Sequence, residues 1–453
     1  MEPSNENNHK DWYLSNFKTF ENGLNGESKT PFHQIRRDAI SRFEEFGFPT
    51  NKNEDWKYTS VAPILKYNFT PAFFLKDPVD LKKEIGNYFV PGLPGHVLVF
   101  INGSFAKEFS SLPPQPDGIR ISSMASALAN DNDLILPYLG QYAKVENGFN
   151  ALNTAFARDG AFIHIPEGRV LEEPIFLLFL SGSTSTPVLA QPRNLIHLGK
   201  NSQVKIVESY QGFSHQEYFT NSITEIILEE NSQMKYYKIQ DEKSHSFHVS
   251  KTQVEQNRNS NFTSYTFSFD GALIRNDLNT VLNADGTECN LYGLYVTRGD
   301  QHVDNHTLID HAKPQGTSYE FYKGILGGAS RGVFNGKILV KKDAQKTNAY
   351  QSNKNLLLSE EAFIDTKPQL EIFADDVKCS HGATIGQLEE DPLFYLQSRG
   401  VEESIARAML ISAFASDLID IIKSEPLENY LNHKISERMK MKFHLDKGIK
   451  CLL

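Results

Sequence analysis

A small polar turn followed by alternating apolar residues recurs through the middle of the chain, and its interval restricts the fold more than any other feature. The turn starts at Asn201 (NSQVKIVE), Asn231 (NSQMKYYK), Asn259 (NSNFTSYT), Asp285 (DGTECNLY), Gln315 (QGTSYEFY) and Asp343 (DAQKTNAY), at steps of 30, 28, 26, 30 and 28 residues. A second series of strand-like runs falls about midway, around Ile226, Thr252, Thr280, Leu308 and Ile338. Two interleaved series with one period mean two strands per repeat. A single unit of this kind cannot bury its apolar face, whereas stacked units share a continuous core. Residues 151–388 are therefore expected to form a right-handed parallel β-helix, so that the protein is mainly β. A large sandwich or barrel, also built from evenly spaced short strands, is the competing architecture.

The flanks have a different texture. Residues 1–150 read as a helical and mixed α/β domain: Pro31 opens a helix in which Phe32, Ile35, Ala39, Ile40, Phe43 and Phe46 recur at three- and four-residue steps, and Gly47 ends it. In the stretch KNEDWKYTS (52–60), Trp56 and Tyr58 share one face and are expected to pack in a core. Residues 389–453 read as a helical domain. Asp391–Pro392 starts a first helix, Gly400 stops it, and a second from Val401 carries Ile405, Met409, Leu410, Ile411, Phe414, Leu418, Ile419 and Ile422 around much of its circumference, so it is expected to be largely buried. A third repeats Leu427, Leu431, Ile435 and Met439. These helices are expected to cap the open end of the solenoid, with any spare apolar stripe free for a partner.

Charge and cysteine usage exclude several classes. A net charge of −10 argues against a nucleic acid or an anionic membrane as the main partner. The first residues, MEPSNENNHKDW, lack the basic and apolar stretches of a secretory signal, and no run of eighteen apolar residues occurs. The cysteines Cys289, Cys379 and Cys451 lie far apart, which is no disulfide framework and suits a reducing cytoplasm.

Three stretches invite chemistry. In ADDVKCSHGATIG, Cys379 and His381 are two apart, so in an extended segment both point to one side, where a thiolate and an imidazole can hold a thiophilic metal or a sulfur intermediate. The bland alternative is a small buried thiol beside a satisfied polar ring. His302, His306 and His311 suggest a metal, but 302 and 306 share one strand face and 311 the other, so buried hydrogen bonding is the better expectation. The Gly-rich GGASRGVFNGK (327–337) does not fit a phosphate-binding loop, and its glycines are expected at tight corners. No GxSxG elbow is expected, since the GASRG of 328–332 lies in strand-rich sequence with no helix to follow it, and no HExxH motif occurs.

KNEDWKYTS (52–60), QHVDNHTLIDHAKPQGTSYEFYKGIL (301–326), and the runs ADDVKCSHGATIG and FYLQSRG with the Ala-rich helix after them resemble, in this order, the N-terminal, mid-chain and C-terminal signatures of the SufB/SufD family of the SUF iron–sulfur cluster assembly system, on its SufD side. The resemblance implies a β-helix and a non-catalytic scaffold. It implies partners too: a SufB-type paralogue along the β-helix, a SufC-type ABC ATPase on the C-terminal helices, and a homodimer when these are missing. Cluster assembly would take place at the paralogue interface, with Cys379 and His381 there, His381 the iron ligand or facilitator and Cys379 secondary. Any iron or cluster would be transient and absent from the isolated chain. SufB-type chains carry a cysteine shortly upstream of the equivalent strand; NLLLSEEAFIDTKPQLEI (355–372) has none, which points to the SufD side. The enzyme alternative is an intracellular β-helix lyase or hydrolase acting on carbohydrate.

Overall fold

The computed structural model describes residues 3–24, 30–75, 81–115, 118–183 and 185–438; Met439 and Cys451 lie outside them. From Arg193 to Leu357 successive strands alternate between two sheets, and within each sheet every neighbouring pair along the solenoid is parallel. This is the β-helix expected from the repeat, and it excludes a sandwich or barrel. Most rungs are ten residues long and stack in register apart from a bulge between Gln240 and Asp241, so that Glu288–Tyr295 lies over 261–268 and Glu288–Thr297 under Thr317–Leu326.

The polar turns make this regularity possible. Asn201, Asn231, Asn259 and Gln315 all adopt positive φ, between 53° and 58°, and Gly286 and Lys346 take the same role in the other two repeats. Asparagine tolerates that left-handed conformation better than most residues because its short amide bonds locally. Its amides also stack: Asn231 Nδ2 donates to Asn201 Oδ1 at 3.0 Å, and Asn259 Nδ2 to Asn231 Oδ1 at 3.2 Å. The following Ser202, Ser232 and Ser260 are buried, and each hydroxyl donates to the carbonyl three residues back.

Inside the coil, alternate residues such as Ile206, Ile226, Tyr236, Val254, Leu291 and Ile309 form one continuous core. The first 150 residues are joined to it through shared sheets. The strand His96–Ile101 pairs in parallel with Ile175–Ser181 and then turns back through antiparallel Ser104–Phe105, while Arg120–Ser123 pairs antiparallel with Ala161–Ile165. Both sheets thus begin on a reversed strand.

The helices Pro3–Asn22, Pro31–Phe46 and Gly148–Phe156, with the single turn Glu54–Trp56, cover the outer face of the twelve-stranded sheet, packing Phe43, Trp56 and Phe149 against Phe219, Phe247 and Leu273. Trp56 is a core residue, as its spacing suggested, with its ring 5.2 Å from that of Phe149 and 4.2 Å from the Arg275 guanidinium. Arg275 donates to the carbonyl of Asp55 and to the buried carboxylate of Asp304, which also accepts from Thr59 at 2.5 Å. The KNEDWKYTS and QHVDNHTLIDH stretches therefore meet in space. Burial opposes ionisation of Asp304, but the Arg275 guanidinium and the His306 ring outweigh it and hold the carboxyl well below the usual carboxylate range.

The C-terminal helices lie elsewhere than expected. Glu403–Ile419 and Glu425–Arg438 do not cap the solenoid; they pack along the outer face of the ten-stranded sheet, on Tyr237, Tyr265, Phe267, Leu294 and Ile325. The reason is that this face is itself apolar and aromatic, so it offers the helical stripe more contact than an open coil end. Charges clamp the arrangement: Lys323 with Asp417 at 2.6 Å, Lys434 with Asp241 at 2.7 Å, and Arg438 with Asp270. The helix before them spans Glu390–Ser398, with Glu389 rather than Asp391 at its N-cap, and Gly400 at φ 84° ends it.

Asn231→Ala should lower unfolding free energy by about 1–2 kcal/mol, because alanine resists positive φ and interrupts the amide stack. Asn231→Gly should recover most of that loss, read as the denaturant midpoint. Asp304→Asn should cost on the order of 3 kcal/mol at neutral pH by leaving Arg275 short of a buried partner. A carboxyl depressed in the folded state stabilises above its unfolded pKa and loses that contribution as pH falls below about 4. Thermal melts should therefore show a steeper acid loss in the wild type than in Asp304→Asn.

Candidate functional site

The final rung of the ten-stranded sheet is Lys378–Gln387, paired on one side with Asn348–Leu357 and, among the described residues, bare on the other. Its register places Cys379 beside Ala349 and His381 beside Gln351. Both belong to the columns that face the inside of the solenoid, since Cys379 continues Phe262, Cys289, Ser318 and Ala349, and His381 continues Leu291, Glu320 and Gln351. The pair thus stands at the mouth of the coil, on one side of one strand, as its spacing suggested. Two-residue spacing along a strand separates their backbones by about 7 Å, near enough for both side chains to reach one ion.

Their surroundings differ. Cys379 packs against the small cluster of Ile338, Val340, Ala344, Ala349 and Ala374, and burial pushes its thiol up. A metal would have to displace that proton, so thiolate ligation here is pH-dependent. His381 is exposed. Around them the last turn exposes Phe363, Ile372, Phe373 and Ile385, of which Phe373 is 63% exposed. An unpaired strand edge rimmed by large apolar side chains is a surface that calls for a covering chain.

A second apolar surface lies on the C-terminal helices. The helix expected to be largely buried shows Ile405 and Met409 to solvent, next to Phe394 and Tyr395 of the preceding helix, 72% and 57% exposed. Its other face meets the sheet, so circumferential apolarity here reflects two contacts, one filled and one open. Between this helix pair and the end of the solenoid runs a groove of roughly 460 Å³ lined by Leu357, Leu358, Gln387, Leu393 and Phe394.

The three histidines do not assemble a metal site. His302 and His306 lie on the outer face, hydrogen-bonded to Thr59 and paired with Asp304 respectively, while His311 points inward with Nε2 at 2.9 Å from the Ser318 hydroxyl. No cluster of three or more potential ligands occurs among the described residues. The expectation that the glycines of 327–337 sit at corners holds for Gly328, at φ 69°, but Gly332 and Gly336 lie within a strand. They are small there because other side chains occupy the space: a Cβ on Gly336 would fall 2.2 Å from Nε2 of Gln351. Spacing alone also missed Glu320 and Gln351, although the repeat phase puts both in a column held by Ile206, Tyr236 and Leu291 in earlier coils. The outer faces of both sheets, where a lyase groove would run, are covered by helices over much of their length.

Among the described residues no helix is long and apolar enough to cross a membrane. Residues 179–414 match the family model described as SUF system FeS cluster assembly, SufBD core domain, and residues 7–177 match that of the SufBD protein N-terminal region. An iron–sulfur cluster assembly SufBD family protein of Synechocystis is 36% identical over 411 residues, covering 89% of this chain and 90% of that protein. The iron–sulfur cluster assembly protein SufD of Escherichia coli is 28% identical, over 91% and 94% of the two chains, and that of Bacillus subtilis is 26% identical, over 90% and 93%. With both family models matched in sequence order across most of its length, this chain belongs to the SufBD family of iron–sulfur cluster assembly proteins.

Proposed function

We propose that this chain is a non-catalytic, cytoplasmic scaffold subunit of SUF-type cluster assembly, in which Cys379 and His381 meet iron at a seam with a SufB-type paralogue. The observation that carries this reading is the uncovered last rung, where a thiol and an imidazole share the mouth of the coil inside a rim of exposed phenylalanine and isoleucine. A partner solenoid laid on that rim would pair the free strand edge, bury the apolar side chains and enclose the two donors together. Burying each large side chain contributes about 2 kcal/mol. In the absence of the paralogue the same surface suits a second copy of this chain.

In this scheme His381 is the first contact of an arriving iron ion because it is exposed, whereas the Cys379 thiol is half-buried and must lose a proton first. Two donors fall short of the roughly four that hold an iron–sulfur cluster, so the remaining ligands belong to the partner. The isolated chain is accordingly expected to hold no stable cluster. The exposed Phe394, Tyr395, Ile405 and Met409 form a separate apolar patch, which we assign to a SufC-type ATPase.

Co-expression with the paralogue and the ATPase tests the reading. His381→Ala should lower iron and acid-labile sulfide in the purified complex several-fold while all three chains still co-purify, and Cys379→Ser should cause a smaller loss. Unchanged iron content, or failure of the complex to assemble, would remove the support for a ligand role. Met409→Asp combined with Phe394→Asp should abolish ATPase co-purification and leave the paralogue bound; retention of the ATPase would move its docking site elsewhere.

A further inference from the structure

Behind His381 the inward column holds Gln351 and then Glu320, each one rung deeper. Neither has measurable exposure to solvent. Gln351 Nε2 donates to Glu320 Oε2 at 2.6 Å, and the remaining oxygens, Oε1 of Glu320 and Oε1 of Gln351, are buried without a hydrogen-bond partner. Gly336 creates the space in which the Gln351 amide lies, since any Cβ there would strike it. A carboxyl placed so deep ordinarily has a cationic neighbour. Glu320 makes no ion pair among the described residues, and the groups that face it are uncharged near neutrality. Cys289 on the preceding rung and Tyr322 on the same strand are both driven upward by burial, His311 across the coil is pushed down to about 4, and Thr307 and Gly336 do not titrate.

We propose that Glu320, held by Gln351, is the buried counter-charge for a divalent cation at Cys379 and His381, and that the arriving cation displaces the proton of the Glu320 carboxyl to solvent through the open end. The balance is simple: the cation enters, two protons leave, one from the Cys379 thiol that ligates it and one from the Glu320 carboxyl that balances its remaining charge, and no electron moves. The proposal rests on the cation reading of Cys379 and His381 given above. Glu320 stands two rungs from His381, about 10 Å along the stacking direction, too far to ligate the same ion and near enough to sense its charge. It is therefore a positioning residue for charge. Burial pushes its carboxyl up to about 7, against the lowering pull of Thr307 and Gln351, so it is poised between its two states where a cation can tip it.

Infrared titration of the full chain, following the C=O band of buried protonated carboxyl groups, tests this. A band with a midpoint near pH 7 is expected in the wild type and none in Glu320→Gln; a wild type without it overturns the proposal. His381→Lys fixes a positive charge at the mouth without any metal and should lower the midpoint by about one pH unit at an effective dielectric of about 20. A midpoint indifferent to that lysine overturns the coupling. Gly336→Ala, which displaces Gln351, should raise the midpoint, because the bond from Gln351 favours the ionised form. Zn²⁺, used as the probe cation, should lower the midpoint in the wild type and leave it in place in His381→Ala. A midpoint that obeys the lysine but ignores Zn²⁺ would instead overturn the cation reading of Cys379 and His381, and with it the exchange. Folding supplies a second readout: a carboxyl raised in the folded state stabilises below its unfolded pKa and loses that contribution as pH rises through its folded value. Between pH 5 and pH 8 the melting temperature of the wild type should therefore fall relative to Glu320→Gln, and parallel curves would count against a raised Glu320.

Discussion

In-register stacking is the constraint on which the rest of the molecule depends. Each coil must return to the same point one strand spacing further on, and it does so by turning through a residue at positive φ, followed, except after Gln315, by a buried hydroxyl that closes the turn onto its own backbone. Where the turn repeats, the columns repeat, and a residue's place in a column decides whether it meets the core, a flank or the open mouth. Cys379 and His381 come together at the mouth because the columns of Ala349 and Gln351 run straight into them. No loop has to be ordered to hold the pair, and the preorganisation of the site is that of the sheet.

The two flanks attach to this frame by different physics. On the twelve-stranded sheet the N-terminal segment is fastened by a buried charge network in which Arg275 joins Asp304, Asp277 and the backbone of Asp55 beneath the ring of Trp56. Such a network tolerates little displacement, because each of its charges is costly without the others. On the ten-stranded sheet the C-terminal helices lie on stacked rings such as Tyr237 and Tyr265, 4.8 Å apart, with ion pairs at the margin. That contact is broad and mostly apolar. The helices reach beyond it, and the side chains left exposed there are those on the face turned away from the sheet.

Periodicity made the solenoid legible, and it located the turns at Asn201, Asn231, Asn259 and Gln315 to the residue. It was one residue early at Asp285 and three at Asp343, where Gly286 and Lys346 take the left-handed conformation, because any short polar residue can open such a turn. The pairing of Cys379 with His381 on one face followed from strand geometry alone. What pattern could not supply was the identity of distant neighbours. Trp56 read as a core residue, but nothing local indicates that Arg275, some 220 positions away, lies on its ring. An apolar helical stripe likewise does not announce which of several apolar surfaces it will meet. Glu320 was missed for a related reason: among many surface carboxylates it is distinctive only once the columns are aligned and a carboxyl is found in the inward file that earlier coils fill with Ile206, Tyr236, Ser264 and Leu291.

The reversed strands at the N-terminal end give the solenoid a polarity with consequences for assembly. A parallel coil with two bare ends could add copies head to tail without limit, as fibres do. Here Ser104–Phe105 and Arg120–Ser123 run against the grain at the start of both sheets, so the two ends of the solenoid differ and a head-to-tail stack would not continue the parallel register. Contact between like ends, mouth to mouth, would instead be self-limiting at two chains.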